Sequence, residues 1–255
     1  MKQVIVVIGI GEIGGVFARA FLRRGRAVYP VTRLMDVNAS AEDIPDPELV
    51  LVSVGEDDLH PVLDVMPAVW RDRLVLLQNE LLPRDWQKHG LRSPTVISVW
   101  FEKKKGHDVK VLLPSPVFGR AASTVAGALD ALDIPARVVG DEREMLLELV
   151  RKNLYILTGN IAGLLTGGTV EELWRDHREL ATAVAGDVLD LQARLTASEL
   201  PRNELLRGMV EGFEADPGHR CTGRTAAQRL ERALRLADAA GLPVPTLREI
   251  RSKAA

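Results

Sequence analysis

The chain opens on five apolar residues in succession, Val4-Ile5-Val6-Val7-Ile8, closed by Gly9. A run this short and rich in Val and Ile predicts a strand buried on both faces rather than a helix. Similar runs recur at Ala27 to Thr32, Leu49 to Val54, Leu74 to Leu77 and Val96 to Val99. Between them, helical spacing of apolar residues predicts helices over Ile13 to Arg24, Asp58 to Val69 and a short piece around Arg84 to His89. Strand and helix in alternation predict a doubly wound, mainly parallel sheet.

Past Val99 the pattern changes to a strand at Val109 to Leu113, a polar turn holding Pro114 and Pro116, a helix near Ser123 to Leu132 and a strand at Ala136 to Val139. Glu102 to His107, with three Lys and one Gly, predicts a hairpin turn. From Glu142 onward no strand pattern occurs. Leu146, Val150, Leu154, Leu157, Ile161 and Leu164 keep helical spacing, and helices follow over Val170 to Thr196, Glu204 to Phe213, Thr225 to Ala240 and Thr246 to Lys253. Gly241-Leu242-Pro243 marks a helix stop. The expected architecture is therefore α/β: a Rossmann-type domain over 1–140 followed by an all-helical domain over 141–255.

Directly after the first strand stands Gly9-x-Gly11-x-x-Gly14, and the amphipathic helix follows at once. In that setting the first glycine supplies a tight turn, the second leaves room for a pyrophosphate and the third lets helix and strand pack closely. The helix start offers its unpaired amides to the phosphates. The expected nucleotide-binding set is Gly9, Gly11, Glu12, Ile13 and Gly14, joined by Thr32 and Arg33 after the second strand, Val54 and Gly55 after the third, and Asn79 after the fourth. An acid at the end of the second strand reads the ribose of NAD, whereas a cation with a small donor suits the 2′-phosphate of NADP. Thr32-Arg33 fits NADP, with Asp36 the rival acid three residues on.

Composition narrows the partners. In 255 residues, 46% hydrophobic and 27% charged, there is apolar material for one large or two medium domains. The net charge of −2 is mixed along the chain and gives no footprint for nucleic acid or an anionic membrane, and Lys103-Lys104-Lys105 reads as a solvated turn. Cys221 is the only cysteine, so no intrachain disulfide forms, and His219-x-Cys221 is too sparse for a metal site. No apolar run reaches a bilayer span, and no signal-peptide pattern precedes the first strand. A cytoplasmic protein with a small-molecule partner is expected; a homodimer stays open, because apolar patterning does not separate an interface from a core.

Two polar constellations stand out. Lys152, Ile156 and Asn160 are spaced by four on the first long helix, in a row opposite the apolar stripe, which would turn a Lys and an Asn toward a cleft. In Leu76-Leu77-Gln78-Asn79-Glu80 a strand ends in an amide and a carboxylate where doubly wound sheets bind ligands, although Asn is as common in plain turns.

Taken together, these features resemble the ketopantoate reductase (2-dehydropantoate 2-reductase) family. The likeness lies in the glycine turn, Arg33 closing the second strand, Gln78-Asn79 ending the fourth, Lys152 with Asn160 eight residues on, and the tail Ala239-Ala240-Gly241-Leu242-Pro243-Val244-Pro245. It implies reduction of a 2-keto acid with NADPH, with Lys152 as general acid, Asn79 near nicotinamide and substrate, and Asn160 in the catalytic group. The chemistry is coherent, since hydride arriving at a carbonyl carbon leaves an alkoxide that an ammonium can stabilise and protonate. The chain departs from the family at Ile156 (usually Asn), near Thr225 (usually a substrate-binding Glu), at Gly55 (usually Lys) and at Glu80 (usually Gly). Losing partners for substrate hydroxyls disfavours ketopantoate itself, by about 1–3 kcal/mol per lost bond to a buried group. A smaller or more apolar keto substrate is expected, with Arg220 or Arg224 reaching its carboxylate. The alternatives are a non-catalytic NADP-binding sensor or scaffold and a relative of the β-hydroxyacid or 6-phosphogluconate dehydrogenases, whose catalytic Lys has different flanking residues.

Overall fold

The computed structural model describes residues 4–223 and 225–254. In the first part β1 (Val4–Ile8) leads into α1 (Glu12–Arg23), β2 (Ala27–Val31), α2 (Val37–Asp43), β3 (Leu49–Val52), α3 (Leu59–Asp64), β4 (Leu74–Leu76), α4 (Pro83–Gln87) and β5 (Thr95–Ile97). A hairpin of β6 (Phe101–Glu102) and β7 (Lys110–Val111) follows, then β8 (Ser115–Phe118), α5 (Ala122–Asp130) and β9 (Ala136–Val138). The sheet order is β2-β1-β3-β4-β5-β8-β9. All neighbours are parallel except β5 and β8. From β1 the chain goes to β2 on one side and returns to β3 on the other, which puts a topological switch point between β1 and β3.

Alternation along the strands decides what each face buries. Ile5, Val7, Leu49, Leu51, Val75, Ile97 and Val117 form one core with Phe17 and Phe21 of α1 and Val125 and Leu129 of α5. Val6, Ile8, Val50, Val52, Leu74 and Leu76 are buried as well, so both faces of the sheet are covered. That is why the strand sequences read as continuous apolar runs.

Two expectations are corrected, and one element is added. The turn placed at Pro114 to Pro116 contains β8: Ser98 donates to the Pro116 carbonyl at 3.0 Å, and Pro116, lacking an N–H, returns no bond. The helix expected over Asp58 to Val69 is broken into α3 and a short 3₁₀ turn at Ala68–Trp70, with Pro67 between them. α2 was not expected at all; it is nucleated by Asp36, whose side chain accepts from the Ala39 amide at 2.9 Å.

The second part is helical: α6 (Glu142–Thr166), α7 (Val170–Asp176), α8 (Arg178–Thr196), α9 (Arg202–Ala215), α10 (Ala226–Ala240) and α11 (Pro245–Ala254). The single helix expected over Val170 to Thr196 is two, parted at His177 (φ −130°, ψ 35°). Gly241, at φ 67°, ends α10 in the left-handed conformation that the helix stop foretold. The chain divides into compact units at Met1–Glu148 and Leu149–Ala255, inside α6 and beyond the boundary expected at Gly140. Arg137 on β9 accounts for this, holding Glu144 and Glu148 of the first turns of α6 at 2.5 Å each.

The core of the second unit includes a buried carboxylate. Asp187 on α8 accepts from the Leu247 amide at 3.0 Å and so caps the start of α11. Burial raises its pKa above the usual carboxylate range. A folded-state pKa above the unfolded one gives stability that is present at low pH and lost as pH rises through the folded value. Asp187→Asn keeps an acceptor and removes the charge, so its urea-unfolding free energy is expected to fall less between about pH 4 and about pH 7 than that of the parent. An unchanged pH slope would show that the burial of this carboxylate is not felt. Asp187→Ala, which orphans the cap, should cost about 1–2 kcal/mol throughout.

Candidate functional site

Strand register brings the carboxyl ends of the parallel strands level. Ile8 stands opposite Val31 and Val52, and Val52 opposite Leu76. The residues that follow, Gly9, Thr32, Ser53 and Leu77, leave the sheet along one edge, and this edge contains the switch point.

Each glycine of the turn meets a different steric demand. Gly9 has φ 88°, donates to the Val31 carbonyl at 2.9 Å, and would place a Cβ 2.9 Å from the Ser53 carbonyl oxygen. A Cβ on Gly14 would collide with the Gly9 carbonyl oxygen and with Ser53 Oγ, which itself donates to that oxygen at 2.5 Å. Gly11 precedes α1 without capping it by a side chain, and a Cβ there meets nothing within 4 Å. The start of α1 is thus an open group of amides suited to an anion. Glu12 in the same first turn is the discordant charge; Lys103 Nζ lies 3.6 Å from its carboxylate. Lys103 also donates to the Lys104 and His107 carbonyls, so it is a held residue of the hairpin rather than the solvated one expected. Ile13 packs against the first core.

At the end of β2, Thr32 and Arg33 are exposed, and Arg33 Nη2 lies 3.7 Å from Asp58 Oδ2. Past β3, Val54 is half-buried and Gly55 exposed; a Cβ on Gly55 would touch only Asp58 Oδ2 at 3.6 Å. Gln78 is buried, and its Nε2 donates to the Val52 carbonyl at 2.8 Å, fastening the end of β4 to that of β3. Asn79 is exposed in the turn that follows, and Glu80 has φ 61°, a conformation that favours glycine. α3 is tied to the segment just after α4 by two stacked histidines, His60 Nδ1 and His89 Nε2 being 3.0 Å apart and His89 Nδ1 3.0 Å from Asp64. Burial, with Lys88 next, holds the His60 pKa below its usual value.

In the second unit α6 corrects the expected picture of an apolar stripe opposed by a polar row. Asn153 to Gly163 are eleven buried residues in succession, so the helix is enclosed on all sides there. Lys152, half-buried, stands at the start of the enclosed stretch with Nζ 5.3 Å from the Tyr155 ring centre. Ile156 is 7% exposed. Asn160 is engaged on both sides: Nδ2 donates to the Cys221 carbonyl at 3.1 Å, and Arg229 Nη1 donates to Oδ1 at 2.8 Å. Arg220 is exposed, Thr225 half-buried, and Arg224 lies outside the described residues. Burial raises the Cys221 thiol to about 11, which leaves it protonated and unreactive at neutral pH.

Sequence reasoning missed several groups. Ser53 and Gln78 position the edge, and Ser98, one residue past β5, is buried with a hydroxyl that has no hydrogen-bond partner among the described residues. Arg229 was missed although a signal existed: it falls on the buried stripe of α10 with Ala226, Leu230 and Ala233, an unusual place for a guanidinium.

A glycine turn at the switch point of a doubly wound sheet, followed by a helical unit, defines a Rossmann-type two-unit chain. No family model and no curated protein matches it. Solved structures do. A 2-dehydropantoate 2-reductase from Methylococcus capsulatus aligns over 98% of this chain and 95% of its own, at 14% identity and a TM-score of 0.71. For a dimeric ketopantoate reductase from Staphylococcus aureus the figures are 99%, 97%, 15% and 0.66. A D-mandelate dehydrogenase solved with NADH and anilino(oxo)acetate gives 99%, 97%, 12% and 0.65. At these identities the likeness is one of fold: the chain has the fold of the ketopantoate reductases.

The steric reading separates two neighbouring glycines. Gly14→Ala is expected to lower the unfolding free energy by about 1–3 kcal/mol through overpacking. Gly15→Ala, whose Cβ meets nothing within 4 Å, should instead stabilise α1 by about 0.5–1 kcal/mol. Equal effects in urea unfolding would remove the case for a forced close approach at Gly14.

Proposed function

We propose that this chain is an NADPH-dependent oxidoreductase that reduces a 2-keto acid or a related carbonyl compound, as a divergent relative of the ketopantoate reductases. The observation that carries the reading is the open, uncapped start of α1 beside the β1/β3 switch point, with Gly9 and Gly14 sterically required and Gly11 bare. The fold likeness supports it, as do the NADH and anilino(oxo)acetate bound by the mandelate dehydrogenase neighbour.

The residues fit a dinucleotide. Gly9, Gly11, Glu12, Ile13 and Gly14 would hold the pyrophosphate end, Thr32 and Arg33 the 2′-phosphate, and Val54, Gly55 and Asn79 the length between. Bound NADPH supplies a hydride to the carbonyl carbon. Lys152 then donates a proton to the carbonyl oxygen as negative charge builds there, and Asn79 orients the reacting groups. Asn160, bonded to Cys221 and Arg229, is assigned a positioning role, since both of its polar ends already have protein partners.

Ile156 and Thr225 leave the substrate fewer hydroxyl partners, and the buried Ile156 favours a smaller or more apolar keto acid than ketopantoate. On this reading nucleotide binding belongs to the first unit and substrate binding to the second, and the chain works as a homodimer in the cytoplasm. The same loss of polar groups favours a second reading, a non-catalytic NADP-binding sensor or scaffold.

Fluorescence titration with NADPH and NADH, followed by a panel of 2-keto acids, distinguishes the readings. Turnover of any member supports the reductase; tight NADPH binding without turnover supports the sensor; no binding removes both. Lys152→Ala is expected to cut kcat by about 10²–10⁴-fold with NADPH affinity kept. A full rate in that variant would exclude Lys152 as the acid. Arg33→Ala should weaken NADPH by about 10–100-fold and leave NADH nearly unchanged, and equal losses would argue against Arg33 as the phosphate reader.

A further inference from the structure

The far end of α1 carries a second concentration of positive charge. Arg23, Arg24 and Arg26 line a cavity of about 290 Å³ together with Phe21, Ser123, Thr124, Gly127 and Ala128. Twelve residues of helix separate it from the glycine turn, roughly 18 Å at 1.5 Å per residue, so it is distinct from the nucleotide edge. It lies at the opposite end of the sheet: Arg26 precedes β2, and α5 follows β8, which runs against β5 and so against β1 to β4.

The cavity walls are organised rather than merely basic. Glu48 fixes Arg26 through two bonds, from Nε at 2.6 Å and Nη2 at 3.3 Å, and also accepts from Thr124 Oγ1 at 3.3 Å. One carboxylate thus neutralises one guanidinium and orients a wall of the cavity. Arg24 lies across α5, its Nη2 3.8 Å from where a Cβ on Gly127 would be, so the glycine keeps that wall bare. Neither Arg23 nor Arg24 has a carboxylate partner among the described residues. Two guanidiniums in excess, together with the Ser123 hydroxyl and the Thr124 side chain, match a doubly charged tetrahedral oxyanion, which takes several donors at once.

From this geometry we infer that the Arg23-Arg24-Arg26 cavity is an anion site for a small phosphate-bearing molecule, separate from the dinucleotide site. Phosphate is favoured over a carboxylate because it carries between one and two negative charges near neutrality and offers three terminal oxygens. The volume lies at the lower end of small-molecule pockets, which limits the ligand to free phosphate or a short phosphate ester.

Calorimetric titration of the full chain with inorganic phosphate and with glycerol 3-phosphate, in chloride buffer of matched ionic strength, tests the site. Saturable millimolar or tighter binding of either probe is expected, with a raised unfolding midpoint. If both bind alike the free ion suffices, and if glycerol 3-phosphate binds more tightly the ester is the ligand; each supports the site. The double substitution Arg23→Gln/Arg24→Gln should weaken binding by about tenfold or more. Ser123→Asp provides a second variant that keeps the fold, because an acid in the first turn of α5 favours the helix while placing a like charge in the cavity. Binding undiminished in both variants would assign the anion elsewhere, to the start of α1 above all, and overturn the inference. A midpoint shift reproduced by chloride alone would overturn it equally, as screening.

Discussion

The approach of α1 to the ends of β1 and β3 is the contact on which the first unit depends. With no side chain at Gly14, the helix comes close enough for Ser53 Oγ to bond the Gly9 carbonyl beneath it. The same approach seats Phe17 and Phe21 in the core, their rings 6.3 Å apart and Phe17 6.0 Å from Phe101. A helix displaced outward by a methyl group would withdraw those rings and move the open amides at its start. Packing and binding geometry are therefore one constraint, and Gln78 extends it by tying β4 to β3.

In the second unit the corresponding constraint is the enclosure of α6. Polar groups on an enclosed helix need partners from the side: Asn153 donates to Gln192 at 3.0 Å and Asn160 bridges Cys221 and Arg229, while the buried Thr158 hydroxyl has no hydrogen-bond partner among the described residues. Close approach serves here too, since a Cβ on Gly163 would stand 2.5 Å from that of Cys221. The segment around Cys221 is thus pressed onto α6, and its carbonyl occupies Asn160. Lys152 escapes full enclosure by standing just before the buried stretch, which leaves it the polar side chain of the row Lys152-Ile156-Asn160 with solvent access.

What the sequence made legible followed from local rules. Continuous apolar runs gave β1 to β5, because a strand covered on both faces has no polar alternation to hide, and the glycine turn identified the switch point. The failures have physical causes. β8 was hidden by Pro116, which a strand tolerates when the neighbouring strand needs only its carbonyl. α2 was hidden by polar residues that look like a loop until Asp36 is recognised as a cap. α6 was read as two-faced because its spacing has an apolar stripe, yet Asn, Thr and Tyr on the other faces are buried by partners distant in sequence, such as Gln192 and Arg229. Glu80 shows a subtler case, a non-glycine residue held at φ 61°, which no local propensity foretells.

Charge around the end of β2 bears on the choice of cofactor. Arg33 faces Asp58, and Glu56 and Asp57 precede it on the same loop. An exposed pair at 3.7 Å contributes about 0–1 kcal/mol, whereas a charge-assisted bond from a guanidinium to a phosphate is worth about 1.5–3 kcal/mol. A 2′-phosphate at Arg33 would therefore displace Asp58 with energy to spare, although the acidic loop repels the incoming charge. Under the proposed reading the net preference would be a difference between two oxyanions competing for one guanidinium, smaller than an unopposed arginine would give. Asp36 adds little to the opposition, because its carboxylate is engaged at the start of α2. On the proposed NADPH reading, the acid that would temper a phosphate preference is thus the one after β3, across the switch point, rather than the one nearest in sequence.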